Sequence, residues 1–258
     1  MLRNLTAAVT AVMFFVAASS VNASVIEIVN EDFVGAGLNG STAIVDSAVI
    51  AAGGTATWDA NANFLADGSF ASQGGENTSA HLTLGEYINN TKGTADGLFT
   101  LTATIQRTGG QWFSVGFSSL DDPDINNHFL NANNNTGTII QRNNNAFDVF
   151  TLGNTSLTDI PGFPGARTVS IELDLRDHNG IDDFGTARYF DSQQATALAT
   201  FNYASDTDFQ SIIISGPANA AGTISNLTLT QAVAAIPEPS SLTVLGLGSL
   251  LVMRRRRK

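Results

Sequence analysis

The sequence predicts an all-β protein, a single antiparallel β-sandwich or jelly roll. Three observations carry this expectation. Apolar residues recur at every second position in several short runs, clusters of Gly, Asn and Asp separate those runs, and no stretch of the body repeats with a helical period. Alternation at period two turns one face of a strand to the core and the other to water, the habit of antiparallel sheets. Gly, Asn and Asp tolerate left-handed turn conformations, so their clusters mark where the chain reverses. Many short strands and no long helix point to two packed sheets.

Along the chain, the body opens on an acidic-aromatic triplet, Glu31-Asp32-Phe33, followed by Thr57-Trp58. In the first clear strand Phe99, Leu101, Ala103 and Ile105 alternate with Thr100, Thr102 and Thr104. Gly109-Gly110 turns the chain into Gln111-Trp112-Phe113-Ser114-Val115-Gly116-Phe117, with Phe113, Val115 and Phe117 on one face. A long strand over Thr168 to Leu175 sets Val169, Ile171, Leu173 and Leu175 against Ser170, Glu172 and Asp174. The body closes on Gly222-Thr223-Ile224-Ser225-Asn226-Leu227-Thr228-Leu229. Leu65 to Gly75 and the Asn-rich segment Asn131 to Asn145 read as loops. This order of landmarks resembles the laminin-G/concanavalin-like jelly rolls, and the resemblance spans most of the body.

Each end carries a segment of different character. Met1-Leu2-Arg3 is a short positive start, Leu5 to Ala18 is an uncharged apolar run, and Val21-Asn22-Ala23 offers small residues before Ser24. This predicts a signal helix over 1–23, cut by a signal peptidase between Ala23 and Ser24. The other end joins Pro237-Glu238-Pro239 to an apolar stretch, Leu242 to Met253, and a basic run of Arg254, Arg255, Arg256, Arg257 and Lys258. Two prolines fix an extended segment where a processing enzyme can grip, the apolar stretch can enter a bilayer as a hydrophobic helix, and five cations hold its end on the cytoplasmic side. This ending resembles the PEP-CTERM sorting signal of Gram-negative bacteria that secrete exopolysaccharide. The resemblance implies an exosortase-like processing enzyme as partner and a destination at the cell surface or extracellular matrix. Twelve apolar residues span about 18 Å as a helix against roughly 30 Å of hydrocarbon, so the tail is expected to be a transient stop, removed near the Pro-Glu-Pro triplet, and the only contact with the membrane. The expected organisation is therefore a signal peptide over 1–23, the sandwich over 24–230, a small-residue linker over 231–236 and the sorting signal over 237–258.

Charge narrows the partners. The chain has 12 basic and 23 acidic residues. Between Ser24 and Ile236 the basic ones reduce to Lys92, Arg107, Arg142, Arg167, Arg176 and Arg188, against 22 carboxylates. So acidic a body repels phosphate backbones, and nucleic acid is not an expected partner. The chain contains no cysteine, which excludes thiol catalysis and cysteine metal clusters.

Several residues carry candidate chemistry. Glu172 and Asp174 share one strand face, as the paired carboxylates of a retaining glycosidase would, but Arg176 stands where a further carboxylate is needed, and a solvent-facing charge pair predicts the same residues. Sugar binding needs aromatics that stack on pyranose rings. Trp112, left with Ser114 on the face opposite Phe113, and Trp58 are the main candidates, with Tyr87, Tyr189 and Tyr203 behind them. Glu172 and Asp174 could supply the polar groups beside such a ring. Asp121-Asp122-Pro123-Asp124-Ile125-Asn126-Asn127 and Asp177-Asn179-Asp182-Asp183 concentrate oxygen ligands that suit a structural calcium, although Asp and Asn also simply build turns. His81, His128 and His178 lie far apart without metal-ligand spacing, no Gly-x-Ser-x-Gly elbow occurs, and no cofactor or catalytic site is expected. Three readings follow: an exported, non-enzymatic surface or matrix protein held with exopolysaccharide in a biofilm; a lectin-like carbohydrate-binding module; and a glycoside hydrolase of jelly-roll type. Fold alone does not separate them.

Overall fold

Strand alternation builds two antiparallel sheets. The computed structural model describes residues 24–33, 38–40, 42–61, 69–71, 78–123, 135–151, 156–162, 165–217 and 221–233. The strands are β1 (Ser24–Glu31), β2 (Ile44–Val45), β3 (Asp59–Ala60), β4 (Ser69–Ala71), β5 (Thr78–Thr83), β6 (Leu98–Gly109), β7 (Trp112–Ser118) and β8 (Asn135–Arg142), then β9 (Phe147–Phe150), β10 (Ser156–Ile160), β11 (Arg167–Asp174), β12 (Thr186–Asp191), β13 (Ala199–Asn202), β14 (Ser211–Gly216) and β15 (Ala221–Val233). The first sheet runs β13-β12-β11-β6-β15-β1-β2, with β4 also on β15, and the second runs β10-β9-β8-β7-β14-β5-β3. Among the described residues the only helical elements are α1 (Ser47–Ala51) and a 3-10 turn at Asn89–Thr91. No helix among them is long and apolar enough to cross a membrane.

One apolar layer fills the space between the sheets. β6 and β11 contribute Phe99, Leu101, Ala103, Ile105, Val169, Ile171 and Leu173 from the first sheet. Phe113, Val115, Phe117, Ile139, Val149, Leu82, Ile212 and Ile214 meet them from the second. Tyrosines tie the layers together. The Tyr189 hydroxyl on β12 donates to the Phe150 carbonyl on β9 at 2.8 Å, and the Tyr203 hydroxyl donates to the Thr136 carbonyl on β8. Burial pushes both phenols well above their ordinary 10.0, so they remain neutral donors. Gly137 lies under these hydroxyls, where a Cβ would come to 3.3 Å from that of Tyr203.

Three expectations need correction. The Asn-rich segment from Asn131 to Asn145 is not all loop, because β8 occupies Asn135–Arg142 between β7 and β9. Leu65 to Gly75 likewise contains β4. The sandwich does not end at Thr230, since β15 pairs with β1 through Val233. Gln231, placed in the linker, is buried; it accepts from the Tyr87 hydroxyl at 2.7 Å and donates to the Asp96 carbonyl at 2.8 Å. A small-residue composition that resembles a linker is here the end of a paired strand. Asn226, with φ 52, sits at the irregularity where β15 slips register against β6 between Ser225 and Thr228.

Candidate functional site

The outward faces of the two sheets differ, and the second sheet holds the candidate site. On the first, Thr100, Thr102, Thr104, Thr168, Ser170, Glu172 and Asp174 alternate with core residues and stay partly in water. Glu172 and Asp174 share that face as their spacing predicts, but arginines occupy them. Arg188, directly across from Glu172 on β12, donates to Glu172 Oε1 at 2.7 Å and stands 3.6 Å from Asp174 Oδ2. Arg176 holds Asp174 through two hydrogen bonds of 2.8 and 2.7 Å. Those bonds, the largest cause, lower the Asp174 carboxyl below its ordinary 3.8. A glycosidase acid needs a carboxyl raised toward neutrality, the opposite shift. This is a charge ladder on a wet sheet.

The second sheet's outward face is small, polar and covered. Register aligns Asp59, His81, Ile213, Gly116, Thr138 and Phe150 in one row across β3, β5, β14, β7, β8 and β9. The next row holds Ser79, Ser215, Ser114, Ile140 and Asp148. Beyond it, Trp112 stands opposite Arg142. All but Asp59, Trp112, Arg142 and Phe150 are buried. Some hydroxyls find partners: Ser114 donates to the Ser215 carbonyl at 2.9 Å. Ser211 and Thr83 donate to the carbonyls of Leu120 and Asp121 at 2.7 and 2.6 Å, pinning the turn after β7 to the sheet. The side-chain oxygens of Ser79, Thr136 and Thr138 and the His81 Nδ1 are buried without a hydrogen-bond partner.

At the start of the central strand β7, Trp112 packs with Phe150, Ile140 and Ile213 into a small apolar patch. Arg142 and Asp148 form an ion pair of 3.3 Å beside it. Arg107 braces this corner by donating to the Arg142 carbonyl at 3.2 Å and the Gly110 carbonyl at 3.0 Å. An aromatic face with planar charged groups alongside can stack on a sugar ring and hydrogen-bond its hydroxyls. At the β3 edge of the sheet, Asp59 lies across from His81, and Asp122 approaches from the pinned turn, with Oδ1 3.9 Å from the His81 Nε2.

Other expected site residues fall elsewhere. Trp58 is not a platform: it is 1% exposed, and its indole N–H donates to Glu31 Oε2 at 2.8 Å, while Glu31 Oε1 accepts from the Phe33 amide. An indole buried this way offers no face to a ligand. The two landmarks read separately near the start of the body are thus halves of one buried contact. Tyr189 and Tyr203 are likewise interior. Glu172 and Asp174 lie on the outward face of the other sheet from Trp112, so the three border no common groove. In the 177–183 loop, Asn179 Oδ1 accepts from the amides of Ile181, Asp182 and Asp183, and Asp183 Oδ1 accepts from Gly185, which is turn building. Ser24 begins β1. Ala23, Asp124 to Asn127, His128, Pro237 to Pro239 and Arg254 to Lys258 lie outside the described residues, as do the signal helix and the C-terminal hydrophobic helix. Residue distance hid the rest: nothing in the chain order joins Asp59, His81 and Asp122, or Phe150 and Asp148 to Trp112.

Comparison with known proteins identifies the tail. The PEP-CTERM protein-sorting motif matches residues 235–258, which implies exosortase-dependent export. No curated protein matches the chain. Among solved structures, the VIP36 exoplasmic/lumenal domain in its Ca2+-bound form is similar at a TM-score of 0.40 and 7% identity, covering 72% of this chain and 86% of that one. The Emp46p carbohydrate recognition domain in its metal-free form gives 0.38 and 13%, covering 69% and 89%. A sialidase of Trypanosoma rangeli gives 0.43 and 12%, covering 82% and 31%.

Proposed function

We propose that this is an exported, non-enzymatic surface or matrix protein whose tail is processed by an exosortase-like enzyme and whose sandwich holds exopolysaccharide through the partly exposed Trp112, Arg142 and Phe150 on its second sheet. The sorting motif supports the export half of this reading. The observation that carries the binding half is the Trp112 end of this face: a half-buried indole beside Phe150, flanked by the Arg142–Asp148 pair. A lectin-like module is the form this takes, since stacking and hydroxyl recognition are what this end offers. A hydrolase is disfavoured because Glu172 and Asp174 are engaged by arginines on the other sheet.

The test uses protein released from the cell surface, whose mass spectrum is expected to lack the terminal arginine peptide. Titrated with the producer's own exopolysaccharide, it should bind saturably and be displaced by free oligosaccharide. Trp112→Ala should weaken that binding about tenfold, the scale of one aromatic contact. Arg142→Lys, which keeps a cation beside the buried Asp148 but loses the planar guanidinium, should weaken it without disturbing the fold. Binding that does not saturate, or that survives both substitutions, would overturn the assignment of this site.

A further inference from the structure

At its β3 edge, the same sheet face gathers a second set of groups. Asp59 on β3, His81 on β5 and Asp122 after β7 each direct one ligand atom to within 4.8 Å of the others. The imidazole is the buried member, 4% exposed, while both carboxylates lie toward solvent. Its Nδ1 has no hydrogen-bond partner, and its Nε2 is 3.9 Å from Asp122, beyond hydrogen-bond reach. A buried ring nitrogen left without a hydrogen bond costs about 1–3 kcal/mol, and neither neighbouring carboxylate closes to hydrogen-bond distance to relieve it.

We infer that Asp59, His81 and Asp122 bind a divalent cation of the zinc class, a site beyond the sugar-binding end proposed above. Three features of the geometry support it. An ordinary His–Asp pair would close to about 2.8 Å, whereas two ligands of a shared zinc ion, with bonds of about 2.0 Å in tetrahedral array, stand about 3.3 Å apart. The observed spacing is that of groups with room for an ion among them. The ring is held rather than mobile: His81 lies in a paired strand directly across from Asp59. The turn that carries Asp122 is pinned at the Leu120 and Asp121 carbonyls by Ser211 and Thr83, so the backbone of all three ligands is in place before any ion arrives.

The donor set selects among cations. Calcium takes six to eight oxygens, and an imidazole among three protein ligands does not suit it. One nitrogen and two carboxylates suit zinc and its neighbours, with water in the remaining position. The acidic turn after β7, which reads as a calcium loop in sequence, therefore serves a different ion once His81 and Asp59 join it. The site would clamp edge strand β3 and the turn after β7 onto β5.

The full-length protein, stripped by dialysis against chelator, should be titrated with Zn2+, Co2+ and Ca2+ by calorimetry, with Co2+ also followed by visible absorption. One equivalent of Zn2+ should bind and raise the melting temperature, and Co2+ should develop ligand-field bands that Zn2+ erases. Asp122→Asn, at a side chain 88% exposed and so safe for folding, and His81→Gln should each weaken Zn2+ by about tenfold or more. His178→Gln, which removes another histidine, should change nothing. Absence of Co2+ bands, Zn2+ binding that survives both ligand substitutions, or Ca2+ binding tighter than Zn2+ would each overturn the proposal.

Discussion

The two sheets use the same alternation and many of the same residue types, yet their outward faces end in different physical states. On the first sheet Thr102, Ser170 and Thr228 stand side by side, partly wet, and water can complete their hydrogen bonds. On the second, Ser79, Ser114, Thr138 and Ser215 have left the solvent. Ser114 and Ser215 satisfy each other, but Ser79 and Thr138 do not find partners. A hydroxyl at the surface costs nothing to keep, whereas one buried without a partner costs about 1–3 kcal/mol. That face keeps buried, unpartnered hydroxyls between Trp112, at the start of the central strand β7, and the Asp-His-Asp set at the β3 edge, a cost in stability that the first sheet's face does not carry. Four strand spacings, roughly 19 Å, separate His81 on β5 from Phe150 on β9.

The sharpest way to break this contrast is to ask for room. A Cβ at Gly116 would meet the Gly137 carbonyl oxygen at 2.3 Å and the Thr138 Cα at 2.7 Å, both backbone and unable to swing aside. Gly116→Ala should therefore destabilise the protein by about 1–3 kcal/mol or more in denaturant unfolding. Ser170→Ala on the wet face should stay within about 0.5 kcal/mol of the parent. Equal effects from the two substitutions would show that the faces are not differently packed.

A smaller effect of opposite sign tests the unpaired hydroxyls. Thr138→Val replaces an unsatisfied buried oxygen by a methyl of similar shape, and the melting temperature should rise by an amount corresponding to about 1 kcal/mol. Thr104→Val on the first sheet removes a hydroxyl that is hydrogen-bonded to Thr168 at 2.9 Å and should leave stability unchanged or slightly lower. A loss of stability in Thr138→Val would mean that its oxygen is satisfied, and the covered face would lose its claim to stored polar capacity.

Legibility in the sequence followed the same division. Strands β6 and β11 announce themselves because one face is wet, so Thr and Leu, or Glu and Leu, alternate. β8 and β14 are buried on both faces, which erases that signal. Ile139 and Ile140 are adjacent yet face opposite layers, and Ile212, Ile213 and Ile214 form an unbroken run whose middle member points outward. Asn residues flanking β8 made it read as loop. The position of Trp112 opposite Phe113 was legible from alternation alone, whereas the burial of Trp58 depends on Glu31, a partner 27 residues away. His81 looked isolated because its neighbours come from other strands. Local pattern reports which way a side chain points; only pairing reports what it meets.

The smallest expected effect concerns charge on the wet face, and pH gives it a sign. Arg176 holds Asp174 below its ordinary 3.8, so the unfolded chain takes up this proton at a higher pH than the folded one. The resulting stabilisation is complete above about pH 4 and disappears as pH falls through the lowered folded value. Arg176→Ala should therefore cost at most about 1 kcal/mol at pH 7, as expected for a partly exposed pair, and the gap from the parent should narrow toward zero in strong acid. Salt should narrow it too, because screening acts on exposed charges. A gap that stays constant from pH 7 to pH 2 would mean that Arg176 acts through packing of its stem. The charge ladder of the first sheet would then contribute shape rather than electrostatics, and the two outward faces would differ less than their hydrogen bonds imply.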